Sequence, residues 1–600
     1  MRKTAFIASL FGLSACAQTV ALPEVVVDPQ FRFFSSTQQI DKITDSAAIY
    51  NRASLVGALE FTTPITFKQN GYGMVASASV RGTTAQQTAV LWNGIALNSV
   101  FTGQTDFSNL TPADYESVQV RRGGGSVLYG SSAIGATVHL LTDLNHREPI
   151  SHRVFARGGS FDTYEIGYKL EASGPKTSGQ ASLQFNHSQN DFSLPDSGRN
   201  RNGAYTNLTM NGGWRYDLGR GQQLHFYSRL FTDNRNFSLI DPNETPTRYK
   251  NLNSANQILY TLRRTKVETN FRAAIVSENY QFFDAPLDEL PSEGTATTYI
   301  FRNDFTWHAS QRLKIHTGAE YTRSIGRGTD VAEAARTVCA LNVLARYKPF
   351  GFLTGEFGIR REFASGMQSP LLFSGGLAVN LTSKLSLRGN ISRNFPLPTF
   401  NDLFWGEGGN PDLKPEDAFQ MEIGPVLQTA WGTFQSTVFH LEINDMIQWL
   451  PNAGVWFPRN VREVRSKGIE FSWNLTRRIG TYRADLLLNY AFTQSEDRLT
   501  GKQLIYVPVH RTTTNLSLSR GSFTLYSQLL NQGLTHTRSD NNRRYALPPF
   551  TLMNLGSEYR ISKDYRLGFQ VSNVADEAYQ TVEGREMPGR HYFLFCNLNL

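Results

Sequence analysis

Cysteine is almost missing from this chain. Its 600 residues hold three, Cys16, Cys339 and Cys596, all far apart. So few exclude a disulfide framework and a cysteine-based metal site, which leaves Cys339 and Cys596 as small packing residues. Long apolar runs are missing too. Beyond the N-terminus none approaches the ~20 residues that a membrane helix needs, and mean hydropathy is −0.34. Catalytic signatures are also absent. There is no G-x-S-x-G elbow, no H-E-x-x-H and no C-x-x-C, and Gly123-Gly124-Gly125 lacks the residues that complete a phosphate loop. The adjacent carboxylates Glu416-Asp417 and Asp576-Glu577 fall in connections, where solvated charge is the default. Neither an enzyme nor a resident cofactor is expected. The net charge of +8 is spread along the chain in clusters no longer than Arg263-Arg264 or Arg543-Arg544. With no zinc-finger, basic-helix or RNP-type pattern beside them, nucleic acid is not an expected partner.

What the chain has in quantity is aromatic residues, 12% of the total with 40 Phe and 24 Tyr, and a hydrophobic period of two. In Tyr565 to Ser572, Leu567, Phe569 and Val571 share one face while Gly568, Gln570 and Ser572 share the other. The same alternation marks Ala181, Leu183 and Phe185, then Leu516 and Leu518, then Tyr592, Leu594, Cys596, Leu598 and Leu600. Low hydropathy, many aromatics and strict alternation fit a transmembrane β-barrel, in which only alternate residues face lipid. A two-sheet sandwich alternates as well, and locally the two are indistinguishable. The arithmetic favours the barrel: roughly 450 residues shared among about 22 strands leave ~20 each, enough for a ~9–11-residue membrane strand and its connection. A barrel that wide needs its lumen plugged.

The N-terminus reads as an address label. Arg2 and Lys3, the apolar Ala5 to Leu13 and the A-x-A site Ala15-Cys16-Ala17 make residues 1–17 an export signal. Leu13-Ser14-Ala15-Cys16 also has the form of a lipobox, so removal and lipidation of Cys16 both stay open. Residues 18–38 then form a tether. In it Glu24-Val25-Val26-Val27 is a short segment of high β propensity, suited to adding itself to the sheet edge of a partner.

Two phrases stand in fixed order after the tether. SVRGTTAQQTAVLWNGIALN spans Ser79 to Asn98, and YESVQVRRGGGSVLYGSSAIGATVHLLT spans Tyr115 to Thr142. Both alternate β-branched runs with turn-forming glycines. They resemble the plug domain of TonB-dependent outer-membrane receptors of Gram-negative bacteria. The segment Asn410-Pro411-Asp412-Leu413-Lys414-Pro415-Glu416 resembles an outer-loop phrase of that family, and Val571 to Tyr579 its penultimate-strand phrase. Asn93, Gly124, Ala136 and Leu600 depart from the usual wording. The resemblance implies an all-β membrane protein, an antiparallel barrel of about 22 strands over residues 146–600 with a globular plug over 39–145 inside its lumen. It also implies a multi-pass place in the outer membrane among its lipids, and TonB as the partner that grips Glu24, Val25, Val26 and Val27.

Within the family, Lys68-Gln69-Asn70-Gly71 and Gly103 to Leu110 are similar to the cobalamin-transporter branch. That likeness implies active import of a scarce bulky nutrient, cobalamin or a related corrinoid. A ferric-siderophore receptor is the alternative, and a passive porin-like or adhesin-like barrel is the alternative of another class. The same likeness places the small-molecule ligand at the outer face on plug loops holding Tyr72, Met74, Asn98, Ser99, Val100, Phe101 and Thr102. Trp405 joins them, with Trp449 and Trp456 as further wall residues or interfacial anchors. Calcium is not expected, because Asp191, Asp196, Asp233, Asp241 and Glu244 lack ligand spacing and read as solvated loop carboxylates.

Overall fold

The computed structural model describes residues 29–43, 54–145, 148–195, 198–240, 243–284, 290–406, 408–452 and 455–600. The export signal, Cys16 and the segment Glu24 to Val27 lie outside the described residues, as do Asp196 and Asp241.

Among the described residues, 22 strands form one closed antiparallel barrel. Its first strand, Ile150–Gly159, pairs with its last, His591–Asn599. Closure leaves no unpaired edge, which is the condition for a sheet to sit in hydrocarbon. Connections at one rim are two to four residues long, as at residues 220–221 and 561–564. At the other rim they include residues 189–204, 395–416 and 573–590. No described helix is long and apolar enough to cross a membrane.

The period of two becomes an inside and an outside. Along Thr177–Ser188, Leu183 and Phe185 are exposed on the outer face while Gln180, Ser182, Gln184 and Asn186 are buried inward. Tyr592 and Leu594 repeat this on the closing strand, opposite the buried Phe593 and Phe595. Cys339 is exposed on an outward position rather than packed in a core, and Cys596 alternates with buried neighbours in the same way. The inward polar set is buried because a second domain fills the lumen.

That domain is built on a five-stranded sheet in the order β1 (Ile40–Lys42), β6 (Ser117–Arg122), β7 (Ala136–Leu141), β4 (Thr88–Trp92) and β5 (Ile95–Ala96). β4 and β7 run parallel, and the other pairs are antiparallel. A hairpin of β2 (Thr66–Gln69) and β3 (Ala76–Ser79) and the helix α1 (Leu55–Thr62) pack beside it. Leu55, Leu59, Phe67, Val90, Trp92, Val120 and Val138 share one core. β4, β6 and β7 are buried along their whole lengths, as expected for strands covered on both sides.

Residues 29–38 do not hang free. Gln30, Phe31, Phe33, Phe34, Thr37 and Gln38 are buried between plug and wall. Wall carboxylates hold this stretch: Phe34 N and Thr37 Oγ1 donate to Glu356 at 2.8 and 2.9 Å, and Gln30 Nε2 donates to Asp304 at 3.0 Å.

The outward face predicts a substitution cost. Leu183, exposed in the middle of its strand, faces hydrocarbon. Leu183→Arg is expected to destabilise the barrel by about 2–4 kcal/mol, read as a lowered denaturant midpoint in lipid. Unchanged stability would mean that this face does not meet lipid.

Candidate functional site

Two clusters join plug to wall. The first is ionic. The Val80-Arg81-Gly82 turn places Arg81 (φ 55°) and Gly82 (φ 76°) in the left-handed region, where glycine is at home and arginine is held by its partners. A side chain at Gly82 would start 2.5 Å from Ser495, so the turn sits flush against the wall. Arg81 Nη1 meets Glu422 at 2.5 Å and Arg81 Nη2 meets Glu470 at 2.8 Å. Arg122, at the end of β6, reaches the same Glu470 at 3.4 Å and Asp41 of β1 at 2.5 Å. The arginine side chains are essentially inaccessible. Burial opposes the charge on Arg81, but Glu470 and Glu422 outweigh it and hold the guanidinium above its ordinary range. Ser466 Oγ donates to the Arg81 carbonyl at 2.6 Å and the guanidinium lies over Phe439, which finishes the socket.

The second cluster is aromatic and sits at the plug apex. Asn98 is a staple: its amide bonds the Thr88 and Gly103 carbonyls, and its oxygen accepts from Val90 N. Ser99 Oγ donates to Glu278 of the wall at 2.6 Å and accepts from Phe101 N and Thr102 N. Phe101 is only 1% exposed, edge-on to Tyr280 and to Phe400. Phe400 begins α2 (Phe400–Phe404), a short helix within residues 395–416. This long connection folds inward rather than projecting. Phe400 N and Asn401 N donate to the carbonyls of Val100 and Phe101, and Ser132 N donates to the Phe395 carbonyl. Val100, Tyr280 and Trp405 pack on the same cluster. Tyr249 stacks on Tyr280 with the planes 13° apart, and Phe237 and Phe282 extend the aromatic wall.

Ser99, Val100, Phe101 and Trp405 are therefore brought together, with Asn98 and Thr102 serving the turn between them. Tyr72 and Met74 are elsewhere. Met74 is fully buried, and Tyr72 lies edge-on to His591 near Tyr205, where burial pushes its phenol up. Gly73 (φ 75°) makes that approach, since a Cβ there would stand 2.4 Å from the Tyr205 ring. Trp449 donates its indole N–H to Asp402 at 2.8 Å, while Trp456 is exposed.

Two carboxylates read as solvated are buried. Asp233 lies on a strand and bonds Arg235 and Asn251, because its inward register points it at the plug. Glu416 accepts from Gln87 Nε2 of the plug at 2.5 Å and from Ile447 N at 2.9 Å, tying loop, plug and the neighbouring hairpin together. Asp417 pairs with Arg393 across the strands. Glu422, Glu470, Tyr249, Tyr280 and Phe400 were not singled out from sequence. The four strand residues signal only an inward place in the period of two, which they share with many others, and Phe400 lies in a connection with no periodic signal at all.

Burial pushes the Glu416 carboxyl up to about 7, against an ordinary 4.5, with the Ile447 amide and Gln87 pulling the other way. A raised acid stabilises the docked loop below about pH 4.5 and loses that contribution as pH rises through about 7. The protection factor over residues 408–416, taken relative to the base-catalysed exchange of free amides, is expected to fall between about pH 4.5 and 7, and Glu416→Gln should flatten the dependence. A pH profile identical in parent and variant would refute this.

For the ionic cluster, Glu470→Ala leaves two buried guanidinium groups short of a partner, a change that costs about 3–5 kcal/mol. Exchange protection of β4 and β6 in the purified protein should drop while the barrel strands stay protected. Equal protection would show that the cluster does not hold the plug.

Comparison with known proteins follows this division. A family model described as TonB dependent receptor-like, beta-barrel matches residues 143–574, and one described as TonB-dependent Receptor Plug Domain matches residues 35–137. The chain is 25% identical over 541 residues to the vitamin B12 transporter BtuB of Photobacterium profundum, covering 87% of this chain and 86% of that one. Among solved structures it is similar to the siderophore receptor PirA from Acinetobacter baumannii. The TM-score is 0.82 at 14% identity, over 94% of this chain and 99% of that one. The ferric enterobactin receptor PfeA from Pseudomonas aeruginosa gives a TM-score of 0.79 at 15% identity, over 96% and 100%. At such identities these structures speak for the fold alone.

Proposed function

Since the chain belongs to the TonB-dependent receptors, transporters of the Gram-negative outer membrane, we propose that its cargo is cobalamin or a related corrinoid and that Glu24, Val25, Val26 and Val27 are the strand gripped by TonB. The observation that carries the cargo is kinship with a vitamin B12 transporter along 87% of the chain. The apex supports it. A bulky ligand with apolar faces and polar edges suits an aromatic wall of Tyr249, Tyr280 and Trp405 set around a few fixed polar groups. No ATP is present at the outer membrane, so work reaches the plug through its N-terminal tether.

Binding and uptake test this together. Tyr280→Ala and Trp405→Ala, with Phe101→Ala and Tyr72→Ala for the two plug loops, are measured for equilibrium binding of cyanocobalamin and of ferric enterobactin. Truncating a true anchor costs at least ~2 kcal/mol, roughly thirtyfold in affinity. Tight binding of the iron complex alone would replace the corrinoid by a ferric siderophore. Full affinity in all four variants would move the site elsewhere. In cells, Val26→Pro should stop accumulation and spare surface binding, because β-pairing needs the backbone N–H that proline lacks. Undiminished accumulation would favour passive passage.

A further inference from the structure

Plug and barrel leave space between them where the barrel closes on itself. Two cavities lie there along Ile150–Gly159, Tyr565–Ser572 and His591–Asn599, the lower one also touching Thr163–Ser173 and the upper one Tyr205–Gly219 and Phe550–Arg560. The lower, about 420 Å³, is bounded by Ala113 and Tyr115 of the plug and by Arg153, Phe155, Gly167 and Asn597 of the wall. It reaches the short-turn rim, where Arg153 is half exposed. The upper, about 120 Å³, lies between Glu60 and Tyr72 of the plug and Arg157, Gln570 and Phe593 of the wall.

Three strands thus supply both cavities from successive inward positions: Arg153 below and Arg157 above, Arg566 below and Gln570 above, Asn597 below and Phe593 above. Between them stand the buried rings of Phe155 and Phe595, 6.4 Å apart. These two side chains form the partition.

Charge on this stretch is paired mainly within the wall. Arg157 pairs with Glu165 at 3.0 Å and Arg153 with Glu171 at 2.6 Å, wall to wall, so parting the plug here leaves both pairs intact. Lys169 with Glu116 is an ionic contact that does cross, near the rim. Glu165 Oε2 and Arg157 Nε are buried with no hydrogen-bond partner. Buried polar atoms of that kind beside a cavity are ordinarily met by water.

We infer that cargo released from the apex passes down this closing seam, with Phe155 and Phe595 as its constriction; this rests on the import reading above. The lining suits a solute rich in hydrogen-bonding groups. Asn597, Gln184 and Gln570 offer amides, Tyr72 and Tyr579 hydroxyls, and the arginines donors toward carbonyl or phosphate oxygens.

Gly167 gives the means of testing it. A Cβ built there meets nothing nearer than Gln184 at 3.6 Å, so a side chain can grow into the lower cavity without displacing the wall. Gly167→Trp and Gly167→Ala are expressed in cells with an active TonB system and checked for a folded, heat-modifiable barrel. Surface binding and accumulation are then followed with radiolabelled cyanocobalamin and with ferric enterobactin. The Trp variant is expected to bind as the parent does and to accumulate at least tenfold less, with the Ala variant near normal. Parental accumulation by the Trp variant overturns the seam. If the parent itself accumulates neither probe, the import reading of those cargoes fails instead, and the seam is decided without cargo. Phe155→Ala combined with Phe595→Ala should then show channel openings in a planar bilayer that the parent lacks, and a silent double variant overturns the proposal.

Discussion

Two arginines of the plug and two glutamates of the wall are buried together, and the position of the whole plug depends on them. A guanidinium taken out of water is tolerable only beside carboxylates with good geometry. Arg81 and Arg122 find theirs 341 and 348 residues further along the chain, at Glu422 and Glu470. If the plug shifts by a few ångströms, four charges lose their partners in a space that water cannot readily enter. The plug is thus held by the penalty for leaving as much as by the attraction of staying. Asp41 joins this set from β1, which ties the start of the plug to its strongest anchor.

The remaining contacts follow from that placement. With Arg81 seated, Gly82 lies flush against Ser495, and the apex is lifted to where Ser99 meets Glu278 and Phe101 meets Tyr280. Residues 395–416 fold down over the apex because Phe395, Phe400 and Leu403 are apolar and the Val100 and Phe101 carbonyls await donors. A ligand arriving from outside meets this covered, aromatic apex before it meets any path through the lumen.

Much of the architecture was legible in the sequence, and for a simple reason. A strand between lipid and a polar lumen must alternate, so Leu183 against Ser182 or Phe569 against Gln570 is written residue by residue. The plug was legible through phrases such as Val80-Arg81-Gly82, in which a turn and a charge recur together. The partners of that charge were not. Alternation says that Glu422 and Glu470 face inward, as do Gln420 and Ser472, and nothing local says which of them meets the plug. Which of the residues proposed to meet a ligand come together in space was half legible for a related reason. Phe101 and Trp405 converge because a loop folds in, and Tyr72 departs because its own hairpin points to another wall. Loop direction is decided by what the loop covers, and that is absent from its own sequence. Asp233 and Glu416 were misread on the same ground, since a carboxylate in a polar-looking stretch is solvated only if the stretch stays outside.

The chain enters the lumen through residues 29–43, so a pull on the N-terminus acts first on the Gln30 contact with Asp304 and the Glu356 contacts, then on β1 and Asp41, and only then on Arg122. Force spectroscopy on the lipid-embedded protein, pulled from its N-terminus, tests that order most directly. The parent should show a rupture for β1 followed by a higher one for the arginine cluster, with the barrel intact throughout. Asp41→Asn should lower the first rupture and leave the second in place. Plug and barrel unravelling in one event, or a first rupture indifferent to Asp41, would contradict the account.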